Sequence, residues 1–165
     1  SYYGVTIATF TIFLLASSLM ILFMTDFKEY IIPNAITYPL AVIGLSLSVL
    51  ELNPLNTFVV DSLVGGIASG LLFFIISKAY FYLKNRDGLG LGDVKMIAML
   101  GFWLGVEAIL MIIIVSSILG IIVGLSLIAA KKIEAQEYLP YGCFISIAAL
   151  IVIFLKLEFG LRYLF

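Results

Sequence analysis

Residues 5–24, VTIATFTIFLLASSLMILFM, form an apolar run without a single charged side chain. About 20 such residues are needed for a helix to cross the hydrocarbon core of a bilayer, so this run predicts a transmembrane helix. The rest of the chain has the same character: 64% of its 165 residues are hydrophobic and 12% are charged. A soluble domain has about 25% charged residues, so a fold of this composition would lack the polar surface to cover itself. The sequence therefore predicts a surface that faces lipid.

Further apolar runs follow, separated by short polar or glycine-rich segments. We expect helices at residues 35–50, 58–83, 94–105, 108–130 and from 142 towards the end. The run 94–105 would extend only about 18 Å as a helix, which is too short for an ordinary span. The pattern predicts an all-α, polytopic membrane bundle of about six transmembrane helices, the fourth of them short. We expect residues 1–165 to form a single membrane-embedded domain.

Basic residues orient this predicted bundle. Three loops on one side carry Lys28, Lys84, Arg86, Lys95, Lys131 and Lys132, whereas the opposite loops at 51–57 and 106–107 carry none. The positive-inside rule makes the basic side cytoplasmic, with both termini outside. Lys156 and Arg162 depart from this rule. If the short fourth segment did not cross, the loop at 131–132 would move outside, which the rule disfavours.

Carboxylates placed deep in a membrane are costly and require an explanation. The topology places Asp26 and Asp93 at one depth near the cytoplasmic face, and Asp61 near the opposite face. Two neighbouring carboxyl groups share one proton, so one can accept a proton from water while the other donates one to a carbonyl oxygen. This is the chemistry of an aspartic protease. The alternative interpretation is that each aspartate is an ordinary helix-end residue in the headgroup region.

Three local motifs accompany these aspartates. Asp93 ends a Gly-x-Gly-Asp motif, in which Gly90 and Gly92 leave the backbone free to turn tightly, expose the carboxylate and make room for an extended substrate. Asp26 is followed by Ile32-Pro33-Asn34, and Leu139-Pro140-Tyr141-Gly142 comes late in the chain. Together, and in this order, the motifs resemble those of the type IV prepilin peptidases, with Tyr141 where phenylalanine is usual. The resemblance covers about residues 10–150.

This resemblance implies an aspartic endopeptidase that removes the leader of prepilin or pseudopilin-like precursors in type IV pilus assembly and protein secretion. It implies a multi-pass protein of the inner (cytoplasmic) membrane, with its active site at the cytoplasmic face and a membrane-anchored substrate. Asp26 and Asp93 match the catalytic pair. The supporting motif residues are Gly90, Gly92, Lys95, Pro33, Asn34, Pro140, Tyr141 and Gly142. Many bacterial members also carry an N-terminal zinc and methylation domain, which we expect to be absent here.

Cofactor, metal and nucleic-acid binding are not expected. The chain has no histidine and one cysteine, Cys143, which excludes a Cys/His zinc site. A net charge of −1 does not suggest a nucleic-acid partner. Cys143 is expected to be a packing residue.

Several other residues have two interpretations each. Lys95 is expected to extend to the interface, with tuning of the aspartate pair as the alternative. Asn34 or Thr37 is expected to cap the second helix. Three Gly-x-x-x-Gly pairs, at 66–70, 101–105 and 120–124, either bring helices close together or reflect the frequency of glycine in membrane helices. Four acidic residues on the cytoplasmic side, which either attract a basic leader or are solvated loop charges, are Glu29, Asp87, Glu134 and Glu137.

Three other functions remain open from the sequence. An archaeal preflagellin peptidase, or another Gly-x-Gly-Asp intramembrane protease, would share the chemistry but not the substrate. A small proton-coupled transporter would also place carboxylates in the membrane. It would often show an internal repeat and a midplane site, and neither is apparent here. An inert membrane anchor would leave the glycine-aspartate motif unexplained.

Overall fold

The computed structural model describes residues 2–84, 90–131 and 139–159, and this part of the chain consists of helices joined by short connections. The helices are α1 (Tyr2–Glu29), α2 (Asn34–Val49), α3 (Val59–Lys84), α4 (Leu91–Ala129) and α5 (Tyr141–Phe159). Four of them, all except the shorter α2, are long and apolar enough to cross a membrane. The prediction of an all-α, multi-pass membrane fold is therefore confirmed for the described residues.

Helix α4 is broken at Gly105, one residue before the loop at 106–107 that the sequence predicted. Gly105 has φ 81° and ψ −179°, which interrupts the 39-residue helix. Before the break, Leu104 lies beside Lys156 near the end of α5. After it, Ser116 lies beside Tyr141, where α5 begins. The chain therefore runs back along α5 after Gly105, as the separate segments 94–105 and 108–130 predicted. The count of six membrane crossings remains a prediction.

The break leaves backbone carbonyl groups without helical partners, and side chains of the α2–α3 region donate to them. The Ser62 hydroxyl donates to the Phe102 carbonyl at 2.6 Å. The carbonyl of Trp103 accepts from Asn53 Nδ2 at 3.0 Å and from Thr57 Oγ1 at 2.9 Å. Unpaired carbonyls are very unfavourable away from water, so these donors make a broken helix tolerable inside a membrane protein.

Small residues bring α3 and α4 into close contact. A methyl group built on Gly101 would lie 2.3 Å from the Gly65 carbonyl oxygen, and one on Gly70 would lie 2.9 Å from the Ala98 side chain. The Gly-x-x-x-Gly pairs at 66–70 and 101–105 thus serve close packing. Gly120 differs, because a methyl group there would meet Phe144 at an ordinary 3.6 Å. On the other side of α4, the fully buried Trp103 donates from Nε1 to the Leu40 carbonyl of α2 at 2.7 Å.

The capping prediction for α2 is wrong. Its N-cap position is occupied by Pro33, and no side chain caps the helix there. Thr37 Oγ1 donates to the Pro33 carbonyl oxygen at 3.3 Å and accepts no hydrogen bond from the first-turn amide groups as a cap would. Proline suits this position because its fixed φ fits the extended conformation that precedes a helix.

Candidate active site

Asp26 lies near the end of α1, and its side chain is only 5% exposed. Its Oδ2 accepts a hydrogen bond of 2.9 Å from the backbone N–H of Cys143, in the first turn of α5. A methyl group built on Gly142 would lie 2.9 Å from the same oxygen. Gly142 therefore permits the start of α5 to approach the carboxylate closely. Sequence reasoning missed the Cys143 amide; the signal was the position of residues 141–143 at a helix start, where N–H groups are free to donate.

Asp93 lies in the first turn of α4 and is 7% exposed. The sequence predicted that the glycine-rich loop ends at Gly92, that Asp93 begins the fourth segment and that the glycines expose its carboxylate; the helix instead begins at Leu91, and the carboxylate is buried. Gly90 occupies the N-cap position, and a methyl group there would lie 3.2 Å from Asp93 Oδ2. A methyl group on Gly92 would lie 3.0 Å from Ile32. The two glycines thus allow close contacts, one with the carboxylate and one with the segment that follows α1.

Asp26 and Asp93 line the same cavity of about 330 Å³. They are 67 positions apart in the chain, and only the folded bundle brings them to one place. The cavity also includes most of the predicted supporting residues: Asn34, Gly90, Gly92, Lys95, Pro140 and Tyr141. Of the remaining two, Gly142 lies against Asp26 from the side of α5, and Pro33 is the N-cap residue of α2, next to Asn34. Asp61 lines a different cavity of about 270 Å³, together with Gly105 and Lys156.

Lys95 links two motifs rather than simply extending to the interface. Its Nζ donates to Asn34 Oδ1 at 2.9 Å and lies 5.6 Å from the centre of the Tyr38 ring. Asn34 and Tyr38 belong to α2, whereas Lys95 lies two residues after Asp93 on α4. The cation therefore joins the start of α2 to the helix that carries Asp93, at the wall of the cavity.

Tyr141 closes the cavity from the side of α5. Its hydroxyl lies within hydrogen-bond distance of two serines on the second half of α4, Ser116 at 3.0 Å and Ser117 at 3.3 Å. The hydroxyl that distinguishes Tyr141 from the usual phenylalanine thus connects α5 to α4. Cys143 is buried, as predicted, and its thiol donates to the Phe23 carbonyl at 3.4 Å.

The remaining acidic side chains concern two separate questions, metal binding and recognition of a basic leader. In the ranges 2–84, 90–131 and 139–159, no group of three or more Cys, Asp or Glu side chains is arranged to hold a metal ion. Glu29 ends α1 with its side chain exposed. The other predicted leader-binding acids, Asp87, Glu134 and Glu137, lie outside the described residues, as do Arg86, Lys132 and Arg162.

These features define the class of the protein, a polytopic helical membrane protein with two buried aspartates at one cavity. Comparison with known sequences gives its family. The model of the type IV leader peptidase family matches residues 13–125. The chain belongs to this family.

Similar proteins come from several bacteria. The prepilin leader peptidase/N-methyltransferase of Aeromonas salmonicida is 31% identical over 88% of this chain and 49% of its own length. The protein of the same name from Burkholderia pseudomallei is 29% identical over 96% of this chain and 50% of its own. That of Pectobacterium carotovorum is 31% identical over 81% and 47%. The chain thus spans about half the length of the curated relatives it matches. No solved structure shows significant similarity to it.

Proposed function

We propose that this chain is the membrane-embedded catalytic core of an aspartic endopeptidase that removes the leader peptide from prepilin-like precursors. The observation that carries this proposal is the shared cavity of Asp26 and Asp93, which are distant in sequence and both almost completely buried. Membership of the type IV leader peptidase family supports peptide hydrolysis, and the names of the relatives support a prepilin substrate.

The reaction needs one ionised and one protonated carboxyl group. The carboxylate removes a proton from a water molecule, whose oxygen attacks the scissile carbonyl carbon, while the carboxylic acid donates its proton to the carbonyl oxygen. The resulting tetrahedral intermediate, which carries two hydroxyl groups, collapses as the C–N bond breaks: the leaving amine takes the proton held by the pair, and one hydroxyl group of the intermediate returns its proton to the pair. No covalent enzyme adduct forms, and the pair returns to one shared proton.

The surroundings of the two carboxyl groups support different starting roles. Asp26 accepts a hydrogen bond from the Cys143 N–H of another helix, and a hydrogen bond donated to a carboxylate stabilises its ionised form. We therefore assign the ionised state, and the role of general base, to Asp26. Asp93 then carries the shared proton and acts as the general acid.

The rim of the cavity suits a substrate that is part peptide and part membrane helix. Three large side chains near the cavity are more than half exposed: Phe27 at 61%, Tyr30 at 57% and Ile31 at 56%. An apolar surface beside the proposed site supports a precursor whose hydrophobic helix stays in lipid while the leader junction enters the cavity. By the positive-inside rule the end of the bundle that holds this cavity faces the cytoplasm. We therefore propose a multi-pass protein of the inner (cytoplasmic) membrane.

The test is cleavage of a prepilin-like precursor by the chain reconstituted in liposomes. We expect one cut at the leader junction, mapped by mass spectrometry, and the same rate in the presence of a strong chelator, since histidine is absent. A chain that leaves the precursor intact but moves protons across the liposome membrane would support the transporter instead. A preflagellin precursor, assayed in parallel, distinguishes between the two substrate groups by their relative kcat/KM.

A further inference from the structure

Lys156 lies in the last turn of α5, at the opposite end of that helix from Cys143. The positive-inside rule left it unexplained, because it falls on the side where the loops carry no basic residues. Its side chain is half-buried, and its Nζ donates to the Leu104 carbonyl at 2.8 Å and to Thr57 Oγ1 at 3.3 Å. Lys156 is therefore engaged by the protein and does not simply extend into water.

Leu104 is the residue immediately before the break at Gly105. The carbonyl groups of Phe102 and Trp103 accept hydrogen bonds from neutral side chains of the α2–α3 region. The carbonyl of Leu104 accepts from Lys156, which is charged and belongs to α5. A cation at the C-terminal end of a helix is favourable both as a donor and through the helix dipole.

The helical stretch that ends at Leu104 is the one that begins at the site. Residues 91–104 are helical without interruption, and Asp93 lies in their first turn. A helix of this length is stiff, so a shift of its far end along α5 is transmitted to Asp93. Helix α5 meanwhile contacts the other carboxylate, because its Cys143 N–H donates to Asp26. Helix α5 thus contacts Asp26 near its N-terminus, and near its C-terminus it contacts Leu104, the last residue of the helical stretch that carries Asp93.

We propose that Lys156 is a positioning residue: by binding the Leu104 carbonyl it sets the register of the Asp93 helix against α5, and hence the separation of Asp93 from Asp26. The proposal rests on the proposed cleavage reaction. Loss of the contact allows residues 91–104 to slide along α5. The carboxyl pair then loses its geometry, while the rim that contacts the substrate stays intact.

Activity is tested with Lys156→Met, Lys156→Arg and the control Lys78→Met, all in liposomes. Lys78 is an exposed lysine of α3 that lies over the Phe74 ring, away from both cavities. We expect Lys156→Met to lower kcat about tenfold or more with KM within about twofold, since small displacements of reacting groups are costly. Lys156→Arg keeps the charge and donors and should recover most of kcat, and Lys78→Met should match the unaltered chain.

A second measurement reports the separation of positions 26 and 93 and does not depend on catalytic activity. Cysteines replace Asp26 and Asp93 in a Cys143→Ser background, and the rate of bridging by a short crosslinker is measured with Lys156 intact or changed to Met. We expect the Met change to slow bridging several-fold and Lys78→Met to leave it unaltered. Lys156→Gln keeps a donor and is the milder variant, so its bridging rate should lie between those of the unaltered chain and the Met variant. It takes the place of the Met variant if that variant does not fold.

Outcomes for the inference and for the cleavage proposal are separable. If the unaltered chain cleaves and a folded Met or Gln variant keeps both its kcat and its bridging rate, Lys156 has no positioning role. A Met variant that loses thermal stability but bridges normally also overturns the inference, since Lys156 is then a stabilising residue only. If the unaltered chain does not cleave, the proposed function fails, and a bridging rate that still depends on Lys156 upholds the positional claim alone.

Discussion

At the scale of single residues, the two proposed catalytic aspartates differ in how the chain holds them. Asp26 is at the end of a helix and receives a donor from another helix, 117 positions away in the chain. Asp93 is in the first turn of its own helix, beside the N-cap residue Gly90, and lies 7% exposed. The difference lies in the surroundings of the two carboxyl groups, since the side chains themselves are identical. It is the basis for assigning the base and the acid to different members of the pair.

Replacing either carboxyl group tests these roles directly. We expect Asp26→Asn and Asp93→Asn each to lower kcat by at least about a hundredfold, because an amide can neither accept the proton from water nor donate one to the carbonyl. The proteins should still fold and insert, since asparagine has nearly the same shape. Leader removal in liposomes measures the effect.

The matched control for these variants is Asp61→Asn, which changes an aspartate in the other cavity. It should retain most of the activity. A fully active Asp26→Asn enzyme would falsify the assignment of the pair.

At the scale of elements, α4 has two parts with different functions. Residues 91–104 carry Asp93 and the core tryptophan Trp103, and residues 106–129 return along α5. Gly105 permits the reversal because its backbone, at φ 81° and ψ −179°, is in a region essentially restricted to glycine. Without this break, 39 helical residues would extend about 58 Å, nearly twice the thickness of a hydrocarbon core.

The break should therefore be sensitive to a single methyl group. We expect Gly105→Ala to destabilise the protein by about 1–3 kcal/mol, the usual cost of an unfavourable backbone conformation. The added methyl would also meet Thr57 at 3.2 Å and Asp61 at 3.3 Å. Thermal unfolding in detergent measures the loss, and cleavage should fall with it because the Asp93 helix ends here.

Gly120→Ala is the matched control for this change. It lies on the second half of α4 with a helical backbone, and its added methyl meets Phe144 at an ordinary 3.6 Å. It should leave the melting temperature unchanged or raise it slightly, since alanine favours a helix. If both variants melt at the same temperature as the unaltered chain, the backbone at Gly105 is not the constraint described here.

At the scale of the whole molecule, the cavity with the aspartates and the cavity with Asp61 lie at opposite ends of the bundle. Asn34, Gly90 and Pro140 border the first cavity, and the α2–α3 connection with Gly105 borders the second. In the proposed orientation the first cavity opens to the cytoplasm, and the exposed Glu29 ends α1 three residues after Asp26. A basic leader that entered from this side would then pass an acidic side chain.

The charge of the leader should accordingly affect the rate. We expect substitution of the leader lysines by glutamate to slow cleavage, and to do so more at low salt than at about 0.5 M salt, because exposed charges are screened within a few ångströms at high ionic strength. The measurement is kcat/KM for both precursors across a salt series. Equal rates at low salt would remove the electrostatic part of substrate recognition and leave the catalytic proposal untouched.

The amino-acid sequence by itself determined the helical membrane fold, the approximate helix boundaries and the break near residue 105. These follow from local properties, since apolar runs require lipid and glycines interrupt helices. Only the tertiary structure decided that the Cys143 amide contacts Asp26, that Asp93 lies buried within a helical turn, that Pro33 occupies the N-cap of α2 and that Lys156 binds Leu104. Each of these is a contact between segments or a choice of helix start. Such contacts depend on how the helices pack against one another, which the pattern along one helix does not encode.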